Sequence, residues 1–352
     1  MRARLQLDGG AQTLLAFAAA VALLYVFRAI LWPLALALVF VVLIQAMLRA
    51  VARLCPWADR RVMMAIAGAG ALGLLCVAGL LVLPRTVELA GELPLLQERL
   101  NRILSTASVQ FGLEEPVTVQ VLLGDLDIRS VASVVLYSVR STASGLVLTG
   151  IFIIFLLVTW ERIHRRILLA AGRGGRWPTH VLERAIRGVE SYLWIQTLSG
   201  LINAVASALI MFAVGLEHWQ FWAIALFILS YIPFLGVAVG SIGPALFAML
   251  QFPSPSQGLI VFLGIQAVAF VVGNVITPKM QATTQNIDPT AGLLAVGAWS
   301  ILWGMPGAFL AIPLTLVIIY QLSESPNLRW LAILMSHDGD PFPKPRSRGD
   351  AA

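Results

Sequence analysis

Apolar residues along this chain come in long runs: Ala11 to Phe27, Ala29 to Leu48, Val62 to Leu83, Gly145 to Trp160, Ser191 to Leu216, Trp219 to Phe252, Gly258 to Thr277 and Thr290 to Gln321. Several reach the roughly 20 residues a helix needs to cross a hydrocarbon core of about 30 Å, and none alternates with period two as barrel strands do. The pattern predicts an all-α, polytopic integral membrane protein. Only Arg28 separates the first two runs, so Ala11 to Phe27 reads as a first span rather than a cleaved leader. These two runs are expected to form a tight pair, with Trp32 and Pro33 near the turn as interface anchor and helix starter.

The polar segments set the orientation. Arg49, Arg53, Arg60 and Arg61 follow the second run, and Arg162, Arg165, Arg166, Arg173, Arg176, Arg184 and Arg187 follow the fourth, which places both loops in the cytoplasm. The basic tail with Arg329, Lys344, Arg346 and Arg348 falls on the same side, and both termini are expected to be cytoplasmic. Between Arg85 and Ser144 seven acidic residues stand against five arginines, which reads as an extracytoplasmic insert beginning after a third span that ends at Pro84. Val87, Leu93, Leu96, Leu100 and Ile103 recur at helical intervals there. That insert suits a helical cap on neighbouring subunits or the membrane surface, or a substrate-capturing domain. The predicted organisation is 1–84 for an N-terminal three-helix region, 85–144 for the insert, 145–323 for a transport-like membrane core and 324–352 for a cytoplasmic tail.

Two runs break near their middles. Ser230 to Pro244 carries Pro233, Gly236, Gly240, Gly243 and Pro244; the last run carries Gly304, Pro306, Gly307 and Pro313. Proline removes a backbone donor, and in lipid every freed backbone group must find a partner, so broken backbone at that depth is covered by protein or lines a polar cavity. Each run is about 32 residues. One helix of that length would reach about 48 Å, too long for an upright crossing, whereas two full crossings need about 40 residues. Re-entrant hairpins fit best, one tilted and kinked crossing being the alternative. With hairpins, span plus hairpin repeats twice in opposite directions, an inverted-repeat plan found in transporters, with the tips opposed near the midplane.

Gln196, Ser199, Asn203 and Ser207 form one polar stripe on the fifth run, serving as interhelical glue or as the lining of a polar route. Asn274, Pro278, Lys279 and Asp288 complete the candidate pathway; Lys279 either snorkels at the interface or pairs with Asp288. The composition agrees with a membrane protein, 59% hydrophobic against 12% charged, where soluble domains carry about 25% charge. The net charge of +6 is spread over short loops, which fits the positive-inside rule rather than nucleic-acid binding. Cys55 and Cys76 form no framework, no histidine lies inside an apolar run, and no nucleotide-binding or metalloprotease motif occurs, so neither an enzyme nor a bound cofactor is expected.

Tyr231-Ile-Pro-Phe-Leu-Gly236, Gly243-Pro244-Ala245, Asn274-Val-Ile-Thr-Pro278, Gly304-Met-Pro-Gly307-Ala-Phe-Leu-Ala-Ile-Pro313 and the entry Glu190-Ser-Tyr-Leu-Trp-Ile-Gln196 resemble the autoinducer-2 exporter family of bacterial inner-membrane proteins. The resemblance runs over nearly the whole chain. It implies export or permeation of a small polar molecule, with the quorum-sensing furanone as the family's named substrate, sodium/proton exchange for some members, and homo-oligomers. Antiport needs a titratable group near the midplane. Between Ser191 and Ser323 only Glu217, Lys279 and Asp288 are charged, so solute export ranks above cation antiport, with a non-transporting scaffold as the third reading.

Overall fold

The computed structural model describes residues 9–54, 59–110, 120–121, 128–172, 179–232, 235–281, 287–337 and 339, and these residues are helical with short turns. Among the described residues, five helices are long and apolar enough to cross a membrane: Arg28–Arg49, Leu136–Ile163, Glu183–Val214, Ser256–Met280 and Met305–Glu324. The all-α membrane reading therefore holds.

The N-terminal part is built from α1 (Gly9–Val26), α2 (Arg28–Leu54), α3 (Arg60–Gln110) and α4 (Ile128–Gly172). Against expectation, α1 and α2 do not fold back on each other. The amide of Phe27 donates to Leu23 and that of Leu31 to Phe27, so helical hydrogen bonding runs on across the single-residue junction. Trp32 is no interface anchor either. It is 9% exposed and lies against Gly145 of α4, where a β-carbon would collide with the indole. Ala37, Ile44 and Leu48 of α2 meet Ile153 of α4, and Met63, Met64, Ala67 and Ala71 of α3 close this cluster.

The expected helix end at Pro84 is also absent. Helix α3 passes through Pro84 and Pro94 for 51 residues, and α4 passes through Gly145 for 45. At 1.5 Å per residue these are rods of about 76 and 68 Å, more than twice the hydrocarbon thickness. Residues 85–110 and 128–144 are therefore extensions of α3 and α4. A change from apolar to charged composition marks a change of solvent, and a helix satisfies its own backbone in either one.

The remaining helices are α5 (Thr179–Val214), α6 (Trp219–Ser230), α7 (Leu235–Gln251), α8 (Ser256–Val271), α9 (Thr277–Gln281), α10 (Pro289–Trp303), α11 (Met305–Glu324) and α12 (Arg329–Met335). A π-helical turn, Val272–Ile276, joins α8 to α9. Pro278 follows it, and the wider turn lets the helix continue past a residue with no amide to donate.

Candidate functional site

Both broken runs fold back on themselves. In hairpin 1, α6 and α7 lie antiparallel: Gly236 faces Leu229, Gly240 faces Leu226 with 3.0 Å from a built β-carbon to Leu226 Cδ2, and Gly243 faces the Trp222 ring. The three glycines, spaced four and three apart, form the face that lets the helices approach. A β-carbon on Gly236 would overlap the Leu229 carbonyl itself. Pro233 lies outside the described residues, and Pro244 is buried within α7.

Hairpin 2 repeats the design. Gly304 turns the chain with φ 67° and ψ −144°, a conformation open to glycine and poorly accessible to other residues. Pro306 opens α11, where a missing amide costs nothing. Gly307 lies against the Trp299 carbonyl, with no room for a β-carbon. The Trp299 indole donates to Thr315 Oγ1 at 3.3 Å, and Val296, Ala308 and Ala311 pack together, so α10 and α11 run antiparallel. Pro313 is buried inside α11.

The two hairpins enter from opposite ends of α5. At its C-terminal end, Gln251 at the mouth of hairpin 1 donates to Gly215 O at 2.8 Å and accepts from the Glu217 amide at 2.7 Å. Arg99, far out on α3, donates to the carbonyls of Leu250 and Phe252, the latter at 2.7 Å, capping the end of α7. At the other end of α5, Gly188 packs on Tyr320 near the mouth of hairpin 2, and Glu190 pairs with Arg49 of α2.

The tips of the two opposed hairpins lie side by side. The Tyr231 ring of tip 1 stacks on Phe309 at 4.8 Å, and Leu229 and Ile232 pack with Val296, Trp299, Ala308 and Ala311 on the flank of hairpin 2. Helix α5 braces tip 1. Gln196 Nε2 donates to Ser230 O, Tyr192 donates to Tyr231 O at 3.2 Å, and the Thr197 and Tyr231 hydroxyls are 2.6 Å apart. Where α6 ends its carbonyls lose their helical partners, and these side chains replace them. Gln196 thus acts as glue at a hairpin tip. Tyr192 and Phe309 were missed in the sequence because each reads as ordinary core; Tyr192, like Thr197, carried a usable signal, a hydroxyl inside an apolar run.

Asn203, two turns further along α5, is 2% exposed and Ser207 is fully buried, and neither side chain has a hydrogen-bond partner. Asn274 lies in the π-helical turn, exposed, its Nδ2 donating to Phe270 O at 2.9 Å. Pro278 and Lys279 are exposed on α9. No ion pair joins Lys279 to Asp288 among the described residues. The Asp288 carboxylate instead caps α10, accepting from the amides of Thr290 at 2.8 Å and Ala291 at 3.3 Å. The Ala291 bond is the chief influence holding its carboxyl below the ordinary value.

Long apolar helices, two hairpins entering from opposite ends and polar groups buried beside their tips define a polytopic membrane protein of the transporter class. The model of the AI-2E family transporter matches residues 14–326, and the chain belongs to that family. Among curated proteins it is similar to a Haemophilus influenzae protein named as a candidate transport protein, 30% identical over 44% of each chain. It is also similar to YhhT of Escherichia coli, another named candidate transport protein, 29% identical over 48% of this chain and 47% of that one. The AI-2 transport protein TqsA of Escherichia coli is 26% identical over 44% of this chain and 45% of its own. The chain thus spans a little under half the length of each curated relative it matches.

Proposed function

We propose that this protein exports, or lets permeate, a small polar solute across the bacterial inner membrane, as a multi-pass homo-oligomer with both termini in the cytoplasm. The carrying observation is the pair of hairpins that enter from opposite ends of α5 and brace each other side to side, Tyr231 on Phe309. Such helical hairpins let one unit move against the other around a central site without exposing backbone to lipid. Helices α5 to α11 form the moving core in this reading, with α1 to α4 as its frame, the outer ends of α3 and α4 as its extension and the segment after Glu324 as its inner tail. The basic residues Arg162, Arg165, Arg184 and Arg187 lie toward the end that carries the mouth of hairpin 2, which suits the cytoplasmic face.

The solute is neutral in this reading. Glu217 stands in a turn, Asp288 caps a helix and Lys279 is exposed, so no carboxylate lies beside the tips to carry a coupled cation. The name of TqsA makes the autoinducer-2 furanone the first solute to test. In a deletion strain, that furanone or another polar metabolite should be retained in the cell, and the wild-type gene should restore its release. If deletion alters no exported metabolite, and Pro233→Leu and Pro306→Leu are both silent, the protein is a scaffold and the reading fails.

A further inference from the structure

One sequence offset relates two landmarks of the two helix-plus-hairpin units. Gly236 corresponds to Gly307, each set against a carbonyl of its hairpin partner. The same offset carries Asn203 onto Asn274: both asparagines stand 33 residues ahead of their hairpin glycine. It also carries Gly200 onto Val271 and Ser230 onto Ile301.

The environments of these matched residues are opposite. In the first unit hairpin 1 is shut on α5, with Gly200 against Ser230. Asn203 and Ser207 are sealed behind this contact with amide oxygen, amide nitrogen and hydroxyl all unpartnered. Native interiors rarely hold such groups without a partner. In the second unit no hairpin covers the matching face among the described residues: Val271 is 49% exposed, Ile301 is 82% exposed and Asn274 is exposed. Among the described residues, hairpin 2 does not pack along α8 as hairpin 1 packs along α5. The π-helical turn around Asn274 is a local irregularity of the kind that marks functional positions.

We propose that Asn203 and Asn274 are a repeat-related pair of hydrogen-bonding groups for the solute, exchanging environments as hairpin 2 closes on Asn274 and hairpin 1 opens from Asn203. Each carboxamide offers a donor and an acceptor, so the pair selects an uncharged solute that presents both. Two helix-plus-hairpin units of opposite orientation can trade conformations, and trading them moves access from one side of the membrane to the other. This structure is then the state open toward the mouth of hairpin 2. The inference rests on the transporter reading above and adds the residues and the closing motion.

The test uses the full chain with Cys55 and Cys76 replaced by serine, in right-side-out and inside-out vesicles, with a membrane-impermeant maleimide as probe. Before any crosslinking, Asn274→Cys should label from the cytoplasmic side and Asn203→Cys should be protected. The pair Val271→Cys and Ile301→Cys replaces two exposed side chains, and oxidation should join them within one chain. That bridge should raise labelling of Asn203→Cys from the extracytoplasmic side about tenfold, and reduction should reverse it. Crosslinks formed only between chains would make the exposed face an interface between copies and overturn the proposal. So would the absence of any crosslink, or Asn203→Cys labelling that ignores it. All of these readouts report geometry without a solute. A working switch in a protein that moves no furanone or other metabolite would sink the export reading alone.

Discussion

Alanine placed at four glycines separates close helix approach from helix propensity. At Gly236 and Gly307 the added β-carbon overlaps a backbone carbonyl, of Leu229 and Trp299, which cannot rotate away. At Gly240 it meets Leu226 Cδ2 at 3.0 Å, the end of a flexible side chain. At Gly297 nothing lies within 4 Å. Alanine in a helix is favoured over glycine by about 0.5–1 kcal/mol, and overpacking a closed contact costs about 1–3 kcal/mol. Gly297→Ala should therefore be neutral or slightly stabilising, Gly240→Ala close to neutral, and Gly236→Ala and Gly307→Ala destabilising by about 1–2 kcal/mol. Thermal unfolding of the purified protein in one detergent, all variants in parallel, should show the two tip variants melting about 2–6 °C below Gly297→Ala. Equal midpoints for Gly236→Ala and Gly297→Ala would refute the close packing of α6 on α7 at the tip.

Three further outcomes follow from contacts already described. Gln196→Leu leaves the Ser230 carbonyl without its partner and should cost about 1–3 kcal/mol in unfolding, with Gln196→Glu not restoring it because the donor is gone. Arg99→Ala removes the cap from the end of α7, so hydrogen exchange should quicken at the mouth of hairpin 1, near Gln251, and stay unchanged in α11. Asp288 has a lowered carboxyl pKa in the folded chain, so its capping contribution is present above the ordinary carboxylate value and is lost as pH falls through the lowered one. Exchange at the amides of Thr290 and Ala291 should be slower in the wild type than in Asp288→Ala at pH 7, and the gap should close in acid.

The apolar runs and their two breaks were legible because lipid leaves so few backbone options, and proline with glycine advertises the exceptions. Whether each broken run kinks or folds back was not fixed by length. The facing of Gly236, Gly240 and Gly243 onto Leu229, Leu226 and Trp222 decides it, and that spacing was visible in the sequence without the partner it implied. The helix ends assigned at Pro84 and Gly145 failed because polarity was read as backbone geometry. The side-by-side tips escaped notice because Tyr231 and Phe309 are distant in sequence and each looks like ordinary core. Of the polar stripe, Gln196 and Asn203 were equivalent on paper; only the fold reveals that one caps a carbonyl and the other is left without a partner.

The length of α3 has a mechanical consequence. Arg99, which holds the carbonyls at the mouth of hairpin 1, sits about 58 Å along a single unbroken rod from Arg60. A lever of that length magnifies small motions: pivoting by about 5° at the Arg60 end would sweep Arg99 through about 5 Å, well past the reach of a hydrogen bond. A small change in the tilt of α3 would therefore be enough to loosen the hold of Arg99 on hairpin 1.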